Sequence, residues 1–211
     1  MKWGRKTVQL SIDHQFLDIA LPTTAKTWKV ATLGPAGTSS ELAAKHLIAR
    51  LPGGTAEQPP VLFHSYEMAS RAVLQGTADL LVVANAYANI SAFYMDTEFD
   101  LAGAYHHRTP QYGIVAPFGT TPTGAVRIAS HPAPVPLIAQ LLPQGLSVEE
   151  IVLVDSTSAA ALAARAGRVD VALTTQPSAE RYGLSFISAT RPIEMLWSVF
   201  RLAGATDPVA V

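Results

Sequence analysis

The chain has 211 residues, is 49% hydrophobic and 15% charged, and carries a formal net charge of -1. That composition can bury a core large enough for one α/β domain or two small lobes; it excludes a disordered chain and, with no basic block, a nucleic-acid partner. There is no cysteine, which excludes disulfides, thiolate zinc sites and a cysteine nucleophile and fits a cytoplasmic protein.

Residues 1–28 have no regular pattern and read as an N-terminal arm. Lys2, Arg5 and Lys6 imitate the basic start of a secretion signal, but Asp13, His14, Gln15 and Asp18 interrupt the apolar stretch that such a signal needs. No window approaches the roughly 18 apolar residues of a membrane span, so a soluble cytoplasmic protein with no membrane partner is expected. Residues 29–34 read as a short buried strand. Residues 41–51 carry apolar side chains at helical spacing and stop at Pro52-Gly53-Gly54. Residues 60–65 read as a strand and 67–75 as a helix ended by Gly76. The nearly continuous apolar run 78–86 suits a central parallel strand buried on both faces. This β-α-β-α-β order predicts a parallel sheet with right-handed crossovers.

A second block follows. Residues 112–116 and 126–130 read as strands, and His131-Pro132 opens a turn into a helix over 137–142. Residues 150–154 form the next strand, and Asp155-Ser156-Thr157-Ser158 caps a helix over 159–166 that ends at Gly167. A strand over 169–174, a short helix over 178–182, and strands over 184–189 and 196–202 complete the chain. The repeated order predicts two α/β lobes, one from 29–108 with 190–211 and the other from 109–189, sharing a cleft. Ligands of open α/β sheets sit at the carboxyl ends of strands. Thr38, Ser39 and Ser40, Asn85 and Tyr87, Ser156 and Thr157, and Thr174 and Thr175 fall at such ends.

The stretch Gly34-Pro35-Ala36-Gly37-Thr38-Ser39-Ser40-Glu41 takes a strand into a helix start, where free N–H groups and the helix dipole favour an anion. Ser156–Ser158 repeats the pattern. Each alone reads as a structural cap; together, in a two-lobed frame, they make a double clamp for a small molecule bearing a carboxylate. His106-His107-Arg108 offers carboxylate recognition, with Arg108 able to bind in bidentate fashion, or else a solvated strand end. His131 is a proton donor or charge partner, or it satisfies turn backbone. No His, Asp or Glu cluster has metal-ligand spacing. The glycine turn also lacks the Lys-Ser/Thr of a P-loop and the Gly-x-Gly-x-x-Gly of a dinucleotide site. A cofactor-free enzyme or a binding protein remains.

Gly34–Ser40 resembles the opening motif of prephenate dehydratases, and Ser130-His131-Pro132, Ser156–Ala160 and Ala179–Leu184 follow in the family's order. Two places depart from it. Tyr87-Ala88 stands where dehydratases carry Asn-Ser, and Ser198-Val199-Phe200 stands where they carry Thr-Arg-Phe. Gly37–Glu41, Ala86-Tyr87, Phe93-Tyr94-Met95, Thr109-Pro110 with Tyr112-Gly113, Asp170–Thr174, and Trp197-Ser198 with Phe200 resemble instead the prephenate decarboxylases of secondary metabolism, of the bacilysin-biosynthesis type. The resemblance implies a two-lobed, periplasmic-binding-protein-like (type 2) fold, prephenate as substrate, no cofactor and a homodimer. With the chain ending soon after its last strand, it also implies no regulatory ACT domain.

It further implies non-aromatising decarboxylation to a dihydro-4-hydroxyphenylpyruvate. Loss of carbon dioxide puts electron density into the ring diene. An acid that expels the ring hydroxyl would aromatise the ring, whereas protonation at carbon keeps the hydroxyl. By that resemblance Thr38, Ser39 and Ser40 hold the pyruvyl carboxylate or keto group. Ser156 and Thr157 do the same from the other lobe, with Tyr94, Arg108 and Thr174 as further substrate contacts. Tyr87, Tyr94 or His131 delivers the proton, and Ser198 separates the two chemistries. Val199 in place of an arginine leaves the departing carboxylate in a less anion-friendly place. The alternatives are a dehydratase giving phenylpyruvate and a non-catalytic carboxylate-binding protein.

Overall fold

The computed structural model describes residues 16–18 and 21–205. Most of the predicted 1–28 arm (1–15, 19 and 20) lies outside the described residues, as do 206–211. Within the arm, Phe16–Asp18 forms strand β1. Trp28 is buried, and its indole N–H donates to the Pro52 carbonyl at 2.8 Å.

The first β-α-β-α-β unit is β2 (Val30–Leu33), α1 (Ser39–Ile48), β3 (Val61–Phe63), α2 (Tyr66–Leu74) and β4 (Leu80–Ala84). Its three strands are parallel, in the order β3-β2-β4. The second unit is β7 (Gly124–Ser130), α4 (Ile138–Leu141) behind the 3-10 turn Val135–Leu137, β8 (Leu146–Leu153), α5 (Thr157–Arg165) and β9 (Val171–Thr175). It repeats the arrangement as β8-β7-β9, again parallel.

Neither sheet is wholly parallel, which corrects the parallel expectation. In the first sheet, β11 (Leu196–Leu202) lies between β4 and β5 (Phe99–His106), antiparallel to both, and β1 pairs antiparallel with β5. In the second, β6 (Tyr112–Pro117) lies antiparallel to β9 and to β10 (Leu184–Phe186). Three described elements, β1, α3 and β5, have no counterpart in the pattern reading. Helix α3 (Ile90–Met95) has six residues, of which only Phe93 is buried, too few to show a period. Strand β5 has the small residues Ala102-Gly103-Ala104 at its centre, where its pairing with β11 shifts register, so its burial does not alternate. Strand β8 is longer than expected and mostly exposed, because it is the edge of its sheet.

Both faces of each sheet are covered. Trp28, Leu47, Leu80 and Trp197 pack on one face of the first sheet, and Tyr66, Val73, Phe93 and Phe200 on the other. The second sheet is sandwiched between the alanines of α5 and a cluster around Ile114, Ile128 and Leu173. Burial on both faces is why the central strands read as unbroken apolar runs.

Two segments run between the sheets side by side. His107 N–H donates to Met195 O at 3.0 Å, Thr109 N–H to Ile193 O at 2.9 Å, and Arg191 N–H to Tyr112 O at 2.9 Å. The glycine turn before α1 is a third connection. Thr175 Oγ1 and Ser178 Oγ donate to Gly37 O at 2.8 and 3.0 Å, and Ser158 Oγ donates to Ala36 O at 2.8 Å. Gly37 has φ +92°, and a Cβ there would meet Ser178 Oγ at 2.9 Å, so glycine is required on two counts.

Candidate active site

A cavity of about 140 Å³ lies between the two sheets, and the starts of α1 and α5 converge on it. Both helices are placed by side-chain caps. Thr38 Oγ1 accepts the Glu41 N–H at 3.3 Å, and Glu41 reaches back to accept the Gly37 N–H at 2.7 Å, a variant of the capping box. Ser156 Oγ accepts the Ala159 N–H at 3.0 Å. The first N–H groups of a helix have no carbonyl one turn earlier to bond, so two such ends aimed at one space form an anion site.

The predicted residues divide by what their side chains are already doing. Thr38 and Ser156 line the cavity, but their hydroxyls are committed to capping, and Thr38 Oγ1 also donates to Leu33 O at 3.1 Å. Ser39 and Ser40 line it with hydroxyls that meet tyrosines, Ser39 with Tyr112 Oη at 3.0 Å and Ser40 with Tyr66 Oη at 2.8 Å. The Thr157 hydroxyl, also on the wall, has no hydrogen bond to a described residue.

Four predicted residues do not line the cavity. Thr174 lies behind it, fully buried, with Oγ1 donating to Thr157 O at 2.7 Å. Arg108 is exposed and donates to Glu194 at 3.0 Å, next to a His106–Glu194 pair at 2.7 Å. Ser198 is fully buried; its hydroxyl donates to Asn85 Oδ1 at 2.8 Å and meets the Tyr94 hydroxyl. On β11 the residue that reaches the cavity is the preceding one, Trp197, because neighbouring residues of a strand face opposite ways.

Tyr87 and His131 are both on the wall. The Tyr87 phenol donates to Glu67 Oε1, and burial together with that carboxylate raises its pKa. His131 Nδ1 accepts the Ala133 N–H at 3.3 Å, so the neutral ring carries its proton on Nε2. Burial pushes its pKa down, and nearby Asp155 opposes the shift. A wider groove of about 490 Å³ adjoins the cavity, sharing Tyr66, Tyr87 and His131 and adding His64 and Asp155.

The residue types on the wall matter as much as their positions. Among the described lining residues there is no lysine, arginine, aspartate or glutamate. Leu33, Ile193, Met195 and Trp197 make much of it apolar. An anion here would be held by helix N–H groups and hydroxyls, with His131 the sole described lining group that can become a cation. Among the described residues no three of His, Asp and Glu come together as a metal site would require. The sequence reading missed Tyr66 as a wall residue. It is buried at the first position of α2, and only its place after the Ser65 cap hinted that it stood near a strand end.

No family model matches the chain. Among proteins of known name, it is 34% identical over 185 residues to a prephenate decarboxylase of Planktothrix agardhii, covering 85% of this chain and 90% of that one. It is 33% identical over 195 residues to a prephenate decarboxylase of Bacillus subtilis, covering 87% and 94%. Among solved structures, the prephenate dehydratase of Arthrobacter aurescens in complex with L-Phe superposes with a TM-score of 0.60 at 19% identity, over 86% of this chain and 63% of that chain. The Staphylococcus aureus prephenate dehydratase gives 0.50 at 18%, over 82% and 66%. This chain thus spans less than two thirds of either dehydratase. These structures show the fold, the two-lobed α/β architecture of prephenate dehydratases. With relatives above 30% identity along most of its length, the chain belongs to the prephenate decarboxylase family.

Proposed function

We propose that this protein decarboxylates prephenate and leaves the ring non-aromatic, giving a dihydro-4-hydroxyphenylpyruvate. The observation that carries the reading is the identity of about a third, over 85–87% of the chain, to proteins named prephenate decarboxylase. The cavity supports it on physical grounds. In this reading the two sheets are the cores of two lobes, 29–108 with 190–211 and 109–189, and the substrate occupies the cavity between them.

Prephenate carries two carboxylates. The starts of α1 and α5, with the hydroxyls of Ser39, Ser40 and Thr157, hold the pyruvyl carboxylate or keto oxygen. The ring carboxylate then lies against apolar wall with no lysine or arginine among the described lining residues to stabilise it, which favours its loss as carbon dioxide. The C–C bond to that carboxylate breaks, its electron pair enters the ring diene, and a proton must reach a ring carbon.

His131 is the proton carrier of this reading. The substrate's negative charge favours the imidazolium and offsets the burial that otherwise keeps the ring neutral. The Tyr87 phenol donates its proton to Glu67, which keeps that proton from the ring hydroxyl. Arg108 has no part, since Glu194 occupies it at the surface. Ser198 acts at most through Asn85 and Tyr94 from outside the wall.

No helix among the described residues is long and apolar enough to cross a membrane. Cytoplasmic residence and a homodimer belong to the proposal, and light scattering of the purified protein checks the latter. Incubation with prephenate, with the products identified by nuclear magnetic resonance, tests the activity. A dihydro product that keeps its ring hydroxyl is expected. Phenylpyruvate would overturn the reading in favour of dehydration, and unchanged prephenate that nonetheless raises the melting temperature would favour a binding protein.

A further inference from the structure

We infer that Tyr66 is a positioning residue that makes the Ser40 hydroxyl an obligate hydrogen-bond donor to an acceptor oxygen of the substrate. This rests on the proposed function above. Tyr66 is 2% exposed, and its hydroxyl has two neighbours, the Ala84 backbone N–H at 3.2 Å and Ser40 Oγ at 2.8 Å. The amide can only donate, so the phenol oxygen accepts from it. The phenol's own proton then has one acceptor among the described residues, Ser40 Oγ, and a buried hydroxyl seldom leaves its proton unpaired. Ser40 therefore receives from Tyr66, and its own proton has no further acceptor among the described residues. Ser40 lines the cavity, so that proton is available to a ligand.

The polarity of the chain Ala84 N–H, Tyr66 O–H, Ser40 O–H is thus set at its far end by the backbone of β4, a strand buried on both faces. A phenol that stays protonated is needed throughout, and burial raises the pKa of Tyr66 to about 12. The neighbouring pair is different. Ser39 and Tyr112 meet at 3.0 Å with no backbone group among the described residues to fix which of them donates. Ser40 is therefore selective for an oxygen that accepts, a carboxylate or keto oxygen, whereas Ser39 can adapt to either role.

The test is a double-mutant cycle of Tyr66→Phe and Ser40→Ala, read in kcat/KM for prephenate and in prephenate affinity by calorimetry, with thermal unfolding of every variant as a check on folding. Each single variant is expected to lose about tenfold in prephenate affinity. The double variant is expected to lose no more than Ser40→Ala alone, because Tyr66 acts only through Ser40. Losses that multiply to about a hundredfold would overturn the inference, as would a Tyr66→Phe variant that is less stable but binds prephenate like wild type. Wild type that binds prephenate without consuming it would refute the decarboxylase reading while the cycle is still read in affinity. Wild type that neither binds nor consumes it would refute both.

Discussion

Replacing Thr157 by valine keeps the shape of the side chain and removes one hydroxyl from the cavity wall. That hydroxyl has no hydrogen bond to a described residue, and valine is also β-branched, so the first turn of α5 should be undisturbed. Stability is expected to change by no more than about 0.5 kcal/mol. A hydrogen bond to a charged group is worth about 1.5–3 kcal/mol, which converts to a loss of about 10- to 150-fold in prephenate affinity. Thr38→Ala is the contrasting variant. Its hydroxyl caps α1 and bonds Leu33 O, so about 1 kcal/mol of stability should be lost. Initial rates on prephenate, calorimetric titration and urea unfolding of the two variants separate ligand contact from capping. A Thr157→Val protein with unchanged affinity and unchanged kcat/KM would refute the placement of the substrate at the start of α5.

Three further outcomes follow from the same geometry. His131→Asn keeps an acceptor for the Ala133 N–H but removes the proton carrier and the one described lining group that can become a cation, so prephenate affinity should fall and kcat should fall further, by about a hundredfold or more; equal losses in both would refute the role. Gly37→Ala should cost about 1–2 kcal/mol for the left-handed backbone and about 1 kcal/mol for each displaced serine hydrogen bond, read as a shifted urea midpoint, and a change under about 0.5 kcal/mol would show that the turn tolerates a side chain. The third concerns pH. Burial lowers the pKa of His131, and burial with Arg50, His106 and Arg108 lowers that of His107, whose Nε2 is buried without a hydrogen-bond partner among the described residues. The unfolded chain then binds more protons than the folded one, so the associated stability is present above the ordinary histidine value of 6.5 and lost as pH falls below it. His107→Phe should flatten that loss, measured as urea midpoints at about pH 7.5 and about pH 5.5, and an unchanged slope would refute it.

Most of the fold could be read from periodicity because the central strands and capped helices are local in origin. Four adjacent apolar residues in Leu80–Val83, or a threonine three residues before Glu41, state their preference without help from the rest of the chain. What escaped was set by distant partners. Strand β5 holds together because β1 and β11 flank it, not because its own sequence alternates. The same division runs through the site. Helix starts at Thr38 and Ser156 were legible as hydroxyls ahead of helical patterns. That Ser198 and Thr174 turn away from the cavity was not, since both depend on which face of a strand meets which neighbour.

By itself, the sequence determined two α/β units, two capped helix starts and the segments that align with prephenate decarboxylases. It could do so because caps, apolar runs and turns act over a few residues. Only the tertiary structure decided that both helix starts face one cavity, that the wall carries no fixed charge among its described residues, and that Glu194 already occupies Arg108. It also decided the direction of the Ala84–Tyr66–Ser40 chain. Each of these depends on groups far apart in sequence meeting within hydrogen-bond reach, and no local pattern encodes such a meeting.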